Sequence, residues 1–389
     1  MALACSLPVP TAHCAGITGR NNWKPLFKEW YVPKPSAKLF LPGVLGTNLQ
    51  NIGSERLVRL ANHRYGLNMK IMTSHVLRQS VFSMDGWCVW DPSLVKDADG
   101  EYHLFFSRWP VDKGFEAWVT HSEVCLANAE TPLGPYHFDK VVLPKRPGFW
   151  DADVTHNPTI KRFDNKYYIY YNGNHGDNDW WNHRNNQRIG VAVADSPGGA
   201  WMRFDKPLLD VTAGAWDGKV TTNPSCTLTP DGKFILMYKG VGDAFPGPKY
   251  GPVLQGVAFA DFPLGPFLKH PEPVLAVSGA MFSGEDPFVW CAGGRYYALL
   301  KDMDRFYSTS SRAIVLFESG DGVNWRLSEN PIFQERCIVY EDGSREEVHR
   351  MERPFLYIED GEADTFFCGV KPKADRPESI IVSMACVKN

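Results

Sequence analysis

A chain of 389 residues with 44% hydrophobic and 22% charged residues is long enough to bury a large core, which predicts a globular protein. The formal net charge of -3 is close to balanced and no block of lysine and arginine stands out. This charge pattern argues against a nucleic acid or an anionic membrane surface as a partner. No stretch approaches the roughly 20 apolar residues that a membrane helix needs.

The first residues, MALACSLPVPTAHCAG, lack a basic segment, and prolines interrupt their apolar run. They make a poor secretory signal, so we predict a cytoplasmic protein, with export as the alternative if a leader is missing from this sequence. The nine cysteines show no CxxC pair, which favours reduced and mostly buried thiols. Residues 1–70 are predicted to form an N-terminal extension, with a short helix over 54–67 and a surface available for oligomerisation.

The remaining chain, residues 71–389, contains an internal repeat. The 13 Trp, 15 Tyr and 23 Phe of the whole chain, together with its 34 Gly and 29 Pro, are typical of short strands joined by tight turns. Five segments share one pattern, in which a polar residue and a proline precede a strand, a turn and an aromatic strand. The residues before the five prolines are spaced by 66, 66, 63 and 67 positions: Asp91, Asn157, Asn223, Asp286 and Arg353.

A repeat of about 66 residues with room for four strands indicates a propeller blade, so we predict an all-β chain that folds as a five-bladed β-propeller. After Arg353 there is room for only three strands, near 354–359, 364–370 and 379–387. The fourth strand of the last blade is predicted to come from residues 73–82, which would close the ring.

In a propeller the first strand of each blade lines the central channel. The pre-proline residues and the residues before them are therefore predicted to meet at one mouth of the channel. The loops between second and third strands return to the same face, and they carry Arg108, Trp180 and Trp181. Tryptophan faces stack on sugar rings, while Asn, Asp and Arg bind hydroxyls. An oligosaccharide is therefore the expected partner, and the predicted binding residues are Trp90, Arg108, Asp153, His156, Asn157, Trp180, Trp181, Asn223, His349, Glu352 and Arg353.

Three carboxylates are the predicted catalytic residues. Asp91 is the candidate base, because the matching positions of the next two blades hold Asn157 and Asn223, which make the same turn contacts without charge. Glu285 is the candidate acid, because the adjacent Asp286 is expected to raise its pKa. The alternative for Glu285 is an ion pair with Arg353 or with a cation of a neighbouring loop.

Two further sets of residues have structural alternatives. Glu352 and Arg353 are interpreted either as an internal salt bridge or as substrate ligands. Asp85, Asp151 and Asp217 stand six residues before the first three pre-proline positions, and a repeated identity of this kind favours a brace within the blade over chemistry.

The segments WDPSLVK, WDADVTHNPTI, NPSCTLTPDGKFILMYKG and SGEDPFVW resemble glycoside hydrolase family 117 and, more distantly, family 43. The resemblance covers about residues 85–300. It implies a five-bladed propeller glycosidase that hydrolyses an oligosaccharide by exo-attack with inversion, with Asp91 as general base. The sequence departs from the family 117 pattern at Glu285, where a histidine is expected, and at Asn223, where an aspartate is expected.

Two other functions fit the same architecture. A glycoside phosphorylase would need a cationic pocket, for which His349, Arg350 and Arg353 are candidates. A noncatalytic sugar-binding propeller would keep the aromatic rim alone. We predict no cofactor; the axis is compatible with a divalent cation such as calcium, but no cluster of ligands requires one.

Overall fold

The computed structural model describes residues 71–308 and 312–387, and these residues form five antiparallel sheets arranged as a five-bladed β-propeller. The all-β prediction is therefore confirmed. The predicted extension, residues 1–70, with its helix and its oligomerisation surface, lies outside the described residues. Within the described part, no helix is long and apolar enough to cross a membrane.

The strands follow the chain order. Two short strands, β1 (Met72–Thr73) and β2 (Val81–Phe82), precede the first blade. Blade 1 consists of β3 (Trp87–Lys96), β4 (Tyr102–Pro110), β5 (Glu123–Ala129) and β6 (His137–Leu143). Blade 2 consists of β7 (Val154–Phe163), β8 (Lys166–Asn174), β9 (Arg188–Ala194) and β10 (Met202–Arg203). Blade 3 consists of β11 (Val220–Leu228), β12 (Phe234–Val241), β13 (Val253–Ala260) and β14 (Leu268–Lys269).

Blade 4 consists of β15 (Glu285–Ala292), β16 (Arg295–Lys301), β17 (Ile314–Ser319) and β18 (Trp325–Gln334). A small hairpin, β19 (Cys337–Val339) and β20 (Arg345–Glu347), leads to β21 (Arg350–Glu359), β22 (Glu362–Lys371) and β23 (Ile380–Val387) of blade 5. Two short helices lie in the loops between second and third strands: α1 (Trp118–His121) in blade 1 and α2 (Trp180–Asn185) in blade 2. Short 3-10 helices cover Arg78–Ser80, Val111–Lys113 and Phe115–Ala117.

The ring closes at blade 5. Strands β1 and β2 both pair antiparallel with β23, as predicted for residues 73–82, and the register places Val81 opposite Val382. Phe82 then packs edge-on against Phe106 of blade 1 at 5.0 Å between ring centroids. Because one segment joins the last blade to the first, the ends of the ring are held by backbone pairing and by aromatic packing.

Each first strand contains the same irregularity at its proline. The residue before the proline has a positive φ, between 53° and 60°, and the ladder shifts register there. Proline disfavours the right-handed helical region for the residue that precedes it, and the left-handed region costs on the order of 1 kcal/mol for a residue other than glycine. This repeated bulge turns both the pre-proline residue and its predecessor toward the mouth of the channel.

Asp151 and Asp217 brace blades 2 and 3, as the repeat predicts. The carboxylate of Asp151 is fully buried; it accepts from Tyr171 Oη at 2.7 Å and pairs with Arg146 and Arg203. Asp217 accepts from Tyr238 Oη at 3.0 Å and pairs with Lys269. The third aspartate of the set, Asp85, is exposed and makes no such contact among the described residues.

Replacing Asp151 by Ala is expected to lower the free energy of unfolding by about 3 kcal/mol, because Arg146 and Arg203 lose their buried partner. Urea denaturation measures this change. Asp85→Ala is the matched control and should stay within about 0.5 kcal/mol of the parent. Equal losses in both variants would contradict the bracing role.

Candidate active site

The five pre-proline side chains meet at the axis, as the repeat predicts. The guanidinium of Arg353 lies between two buried carboxylates, with Nε 2.6 Å from Asp91 Oδ1 and Nη1 3.0 Å from Asp286 Oδ1. Asn223 Nδ2 donates to Asp286 Oδ1 at 2.7 Å, and Asn157 Nδ2 donates to the side-chain oxygen Oδ1 of Asn223 at 2.7 Å. A closed polar ring therefore surrounds the axis.

This ring does not fit a divalent cation. It offers two carboxylates, and the guanidinium of Arg353 already occupies the place between them, within ion-pair distance of both. The two asparagine amides are committed to each other and to Asp286. Among the described residues, the group with the composition of a metal site is Asp97, Glu101 and His103, at the β3–β4 turn of blade 1.

Asp91 faces the cavity above the ring. Its Oδ2 accepts from the backbone N–H of Asn157 at 3.2 Å, which fixes the orientation of the carboxylate. Burial raises the pKa of Asp91, although the Arg353 guanidinium opposes that shift. A raised pKa with a fixed orientation is suited to accepting a proton.

Glu285 is held between two ammonium groups. Lys239 Nζ lies 2.6 Å from Oε1 and Lys301 Nζ lies 2.8 Å from Oε2. Burial alone would raise the pKa of Glu285, but these lysines outweigh it and hold the pKa well below its usual range. The predicted upward shift caused by Asp286 is therefore wrong, because two cations contact the carboxylate directly. Glu285 does form an ion pair, as the alternative held, but both partners are strand lysines and neither is Arg353 or a loop cation.

Glu352 occupies the matching position in blade 5 and has the opposite electrostatics. It is 7% exposed, and its Oε1 shares Lys301 with Glu285 at 3.1 Å. Burial raises the pKa of Glu352 and the nearby Asp286 adds to this, whereas Lys301 acts against it; the net shift is upward. Of these two neighbouring carboxyls, Glu352 is the one whose surroundings favour the protonated form.

Lys239 and Lys301 were not among the predicted site residues. Each stands near the end of the second strand of its blade, directly opposite Thr222 and Glu285 in the ladder. A signal was present in the sequence, since MYKG and LLKD both place a lysine after an apolar strand at the repeat position of Ser107 and Asn172. The register of the hairpins is needed to recognise it.

Trp118, Trp180 and Trp181 form an aromatic rim over these carboxyls. The rim encloses a cavity of about 270 Å³. Trp180 and Trp181 pack edge-on at 4.8 Å, and Trp180 Nε1 donates to the carbonyl of Glu116 at 3.0 Å. On the blade 5 side Glu116 pairs with Arg350 at 2.6 Å. Trp90 lies against β22, where only a glycine, Gly369, leaves room for the indole. Of the predicted residues, those that line the cavity are Trp90, Asp91, Asn157, Trp180, Trp181, Asn223, Glu285, Asp286, Glu352 and Arg353.

Four predicted binding residues lie outside the cavity wall. Arg108 pairs with Glu123 and stacks on Trp87, and Asp153 accepts from the backbone of Gly176. His349 lies beside blade 5, where its backbone N–H donates to the carbonyl of Pro372.

His156, the fourth of these residues, is 1% exposed behind Trp118, with ring centroids 5.4 Å apart. A sequence pattern does not distinguish such positions from residues that line a binding cavity.

Comparison with solved structures shows which proteins share this fold. Zg3597, a family 117 glycoside hydrolase produced by the marine bacterium Zobellia galactanivorans, matches with a TM-score of 0.60 and 19% identity, over 83% of this chain and 93% of its own. CoXyl43, a family 43 β-xylosidase/α-arabinofuranosidase from a compost microbial metagenome, matches with a TM-score of 0.54 and 15% identity, over 82% and 96%. An exo-1,5-α-L-arabinanase from a bovine ruminal metagenomic library matches with a TM-score of 0.52 and 15% identity, over 80% and 99%.

These similarities establish the fold. They confirm the resemblance to the propeller glycosidases at the level of architecture. No protein-family model matches the sequence, and a comparison with curated proteins finds no match either.

The buried His156 predicts a pH dependence of stability. Burial lowers its pKa from 6.5 to about 3, so between these values the unfolded chain binds a proton that the folded chain does not. The corresponding stability is complete above about pH 6.5 and falls as the pH decreases. His156→Gln should reduce the slope of unfolding free energy against pH by about 1.4 kcal/mol per unit between pH 6 and 4.

Urea titrations at several pH values measure this slope. His75 is the control, since it lies outside the propeller core and is exposed. An unchanged slope in His156→Gln would show that the ring is protonated in the folded state.

Proposed function

We propose that the protein is a glycoside hydrolase that removes a terminal sugar from an oligosaccharide. The observation that carries this proposal is the pairing, under one aromatic rim, of an oriented carboxylate, Asp91, with a second carboxyl, Glu352, whose surroundings favour a bound proton. Glycoside hydrolysis needs two such groups, one to activate water and one to protonate the leaving oxygen. The fold that the chain shares with glycoside hydrolases supports the same reaction.

In the proposed mechanism Asp91 is the general base. Its carboxylate accepts a proton from a water molecule whose oxygen attacks the anomeric carbon. Arg353 and the N–H of Asn157 keep the carboxylate oriented, since they contact its two oxygens separately. Asp286 and Asn223 hold the other side of the guanidinium, so they act on the base through Arg353.

Glu352 is the proposed general acid, in place of Glu285. A proton donor must hold a proton near neutral pH, and two lysine contacts keep Glu285 ionised. Glu352 donates its proton to the glycosidic oxygen as the bond to the anomeric carbon breaks. Lys301, which contacts both glutamates, then stabilises the carboxylate that forms. Glu285 and Lys239 would bind substrate hydroxyls.

Exo-attack and inversion are further parts of the proposal. A cavity of about 270 Å³ is near the lower end of the ~300–1,000 Å³ that is typical of small-molecule pockets, which suits one terminal sugar better than a long chain. Inversion needs a separation of about 6.5–9.5 Å between base and acid, so that a water molecule fits beside the sugar. NMR of the first product identifies the anomer.

The phosphorylase alternative has less support. Its candidate cations are committed elsewhere, since Arg353 binds two axial carboxylates, Arg350 pairs with Glu116, and His349 lies outside the cavity. A noncatalytic role would not require the opposed protonation of Glu285 and Glu352. We also propose that catalysis uses no axial metal, because Arg353 supplies the positive charge there.

Exchanging each glutamate for glutamine tests the assignment of the acid. Glu352→Gln should lose at least 100-fold in kcat/KM on glycosides with poor leaving groups and far less on activated aryl glycosides, which hardly need a proton. Glu285→Gln should lose similar factors on both kinds of substrate. The measurement is kcat/KM across aryl glycosides whose phenols differ in pKa.

The matched variants make the outcome decisive. A leaving-group dependence in Glu285→Gln, with none in Glu352→Gln, would return the acid role to the residue that the sequence predicted. Asp91→Asn should be inactive on all substrates, and full activity in that variant would remove the base from the mechanism.

The rim gives a separate test. Trp180→Ala and Trp181→Ala remove stacking surface and leave the carboxyls unchanged, so KM should rise about tenfold with kcat nearly constant. Steady-state kinetics on the best substrate measures both constants. Trp201→Ala, which removes an indole from the blade 1–blade 2 core and not from the cavity, is the control for general loss of packing. An unchanged KM in both rim variants would exclude them from binding.

A further inference from the structure

The cavity is more basic than the chain that forms it. Seven basic and five acidic side chains line it, whereas the whole chain carries a formal net charge of -3. The acidic side chains on the floor and the rim contact Lys239, Lys301, Arg353 or Arg350. The remaining cations are Arg184, Lys249 and Arg312.

None of these three cations forms an ion pair with a carboxylate within residues 71–308 and 312–387, and Glu285, which is paired with two lysines, acts on Arg184 at longer range. Arg184 Nη1 donates to the neutral Asn185 at 2.9 Å, and Lys249 Nζ lies 5.9 Å from the ring centroid of Phe282. For Arg312 the structure gives a backbone hydrogen bond to Asp302. Unpaired cations directed at a concave site cost desolvation and mutual repulsion, which a bound anion would offset.

The nearby acidic residues are engaged elsewhere. The carboxylate of Asp302 accepts from the backbone N–H groups of Phe306, Tyr307 and Ser308. Asp304 accepts from the N–H of Phe282 at 3.3 Å. These carboxylates stabilise the loop that carries Arg312 and do not neutralise the arginine.

The three cations come from consecutive blades and lie on one side of the mouth. Arg184 is in α2 of blade 2, Lys249 is in the β12–β13 loop, and Arg312 is in the β16–β17 loop. Asn185 Nδ2 donates to the carbonyl of Pro248 at 2.9 Å, which joins the first two loops. The ring of Phe282 lies beneath Lys249. The backbone N–H of Phe282 donates to Asp304, which belongs to the β16–β17 loop that carries Arg312.

We propose that Arg184, Lys249 and Arg312 form a subsite for an anionic substituent, a carboxylate or a sulfate ester, on the oligosaccharide. The inference rests on the proposed glycosidase function and names its substrate class. Arginine forks match the paired oxygens of both groups, and a lysine adds a mobile charge. The aromatic rim of Trp118, Trp180 and Trp181 then contacts the apolar face of the same substrate.

Binding to an oligosaccharide array tests the subsite, with the full chain carrying Asp91→Asn so that no substrate is consumed. The array displays uronate-containing and sulfated oligosaccharides beside their carboxyl-reduced and desulfated forms. Charged members should bind at least tenfold more tightly than their neutral counterparts at low salt, and the difference should shrink at 1 M salt. Preference within the uronate or the sulfate pairs identifies the anion.

Second substitutions assign the effect to these residues. Arg184→Gln, Lys249→Gln and Arg312→Gln should each reduce the preference for the charged member about three- to tenfold. Lys233→Gln is the control, because Lys233 lies at the β11–β12 turn, on the face of the propeller opposite the cavity mouth. This variant should leave the preference for charged sugars unchanged. An equal loss with Lys233→Gln would indicate a general field effect and overturn the proposal.

The remaining outcomes separate this inference from the proposed function. If neutral members bind as well as charged ones, or no charged member binds, the subsite is excluded, whether or not the parent chain hydrolyses neutral glycosides. If inorganic phosphate displaces the charged sugars and the parent chain releases a sugar phosphate, these cations serve a phosphate co-substrate and the proposal is overturned. Charged sugars that bind but are never cleaved would instead contradict the hydrolase mechanism.

Discussion

The arrangement of the site depends on the guanidinium of Arg353, which lies on the propeller axis between Asp91 and Asp286. Two buried carboxylates that face each other across the axis would repel in a medium of low dielectric constant. One planar cation with nitrogens directed to both sides removes that repulsion and fixes both side chains. Asn157 of blade 2 and Asn223 of blade 3 complete the ring without adding charge. The pre-proline side chains of four blades can therefore share one arginine, which comes from the fifth blade.

The same repeat explains how neighbouring glutamates acquire different protonation tendencies. Glu285 and Glu352 occupy matching positions of adjacent blades, but they face different residues across their hairpins. Lys301 stands opposite Glu285, and a glycine, Gly369, stands opposite Glu352. Lys239 from blade 3 gives Glu285 a second contacting cation, whereas Lys301 is the one cation that pairs with Glu352 among the described residues, with Arg350 acting at longer range. The glutamate position in the first strand and the residue opposite it in the second strand thus decide which carboxyl is held ionised.

The fold and the convergence of residues at the axis were predictable from the sequence, because a strict spacing of pre-proline residues reports a repeated hairpin. The closure by residues 73–82 followed from the missing fourth strand. The pKa of Glu285 was not predictable, because an adjacent Asp286 is visible in the sequence while Lys239 lies 46 residues away and reaches the site only through the blade register. For the same reason Arg108, Asp153, His156 and His349 were predicted as ligands, because the spacing of residues does not show that these side chains lie outside the cavity.

In this propeller the contacts that stabilise the blades are made by residues other than those of the loops that line the cavity. Asp151, Asp217 and the strands that close the ring at β23 do not line the cavity, and the tyrosine–aspartate contact with its paired cation recurs in blades 2 and 3. The loops between second and third strands do not recur: one carries Trp118, one carries Trp180 and Arg184, and the others carry Lys249 and Arg312. Because the axial ring is anchored by the first strands, these loops can change in length and charge without displacing Asp91 or Glu352. In the function proposed above, the floor of the cavity would therefore carry out the reaction, and the loops would select the sugar that reaches it.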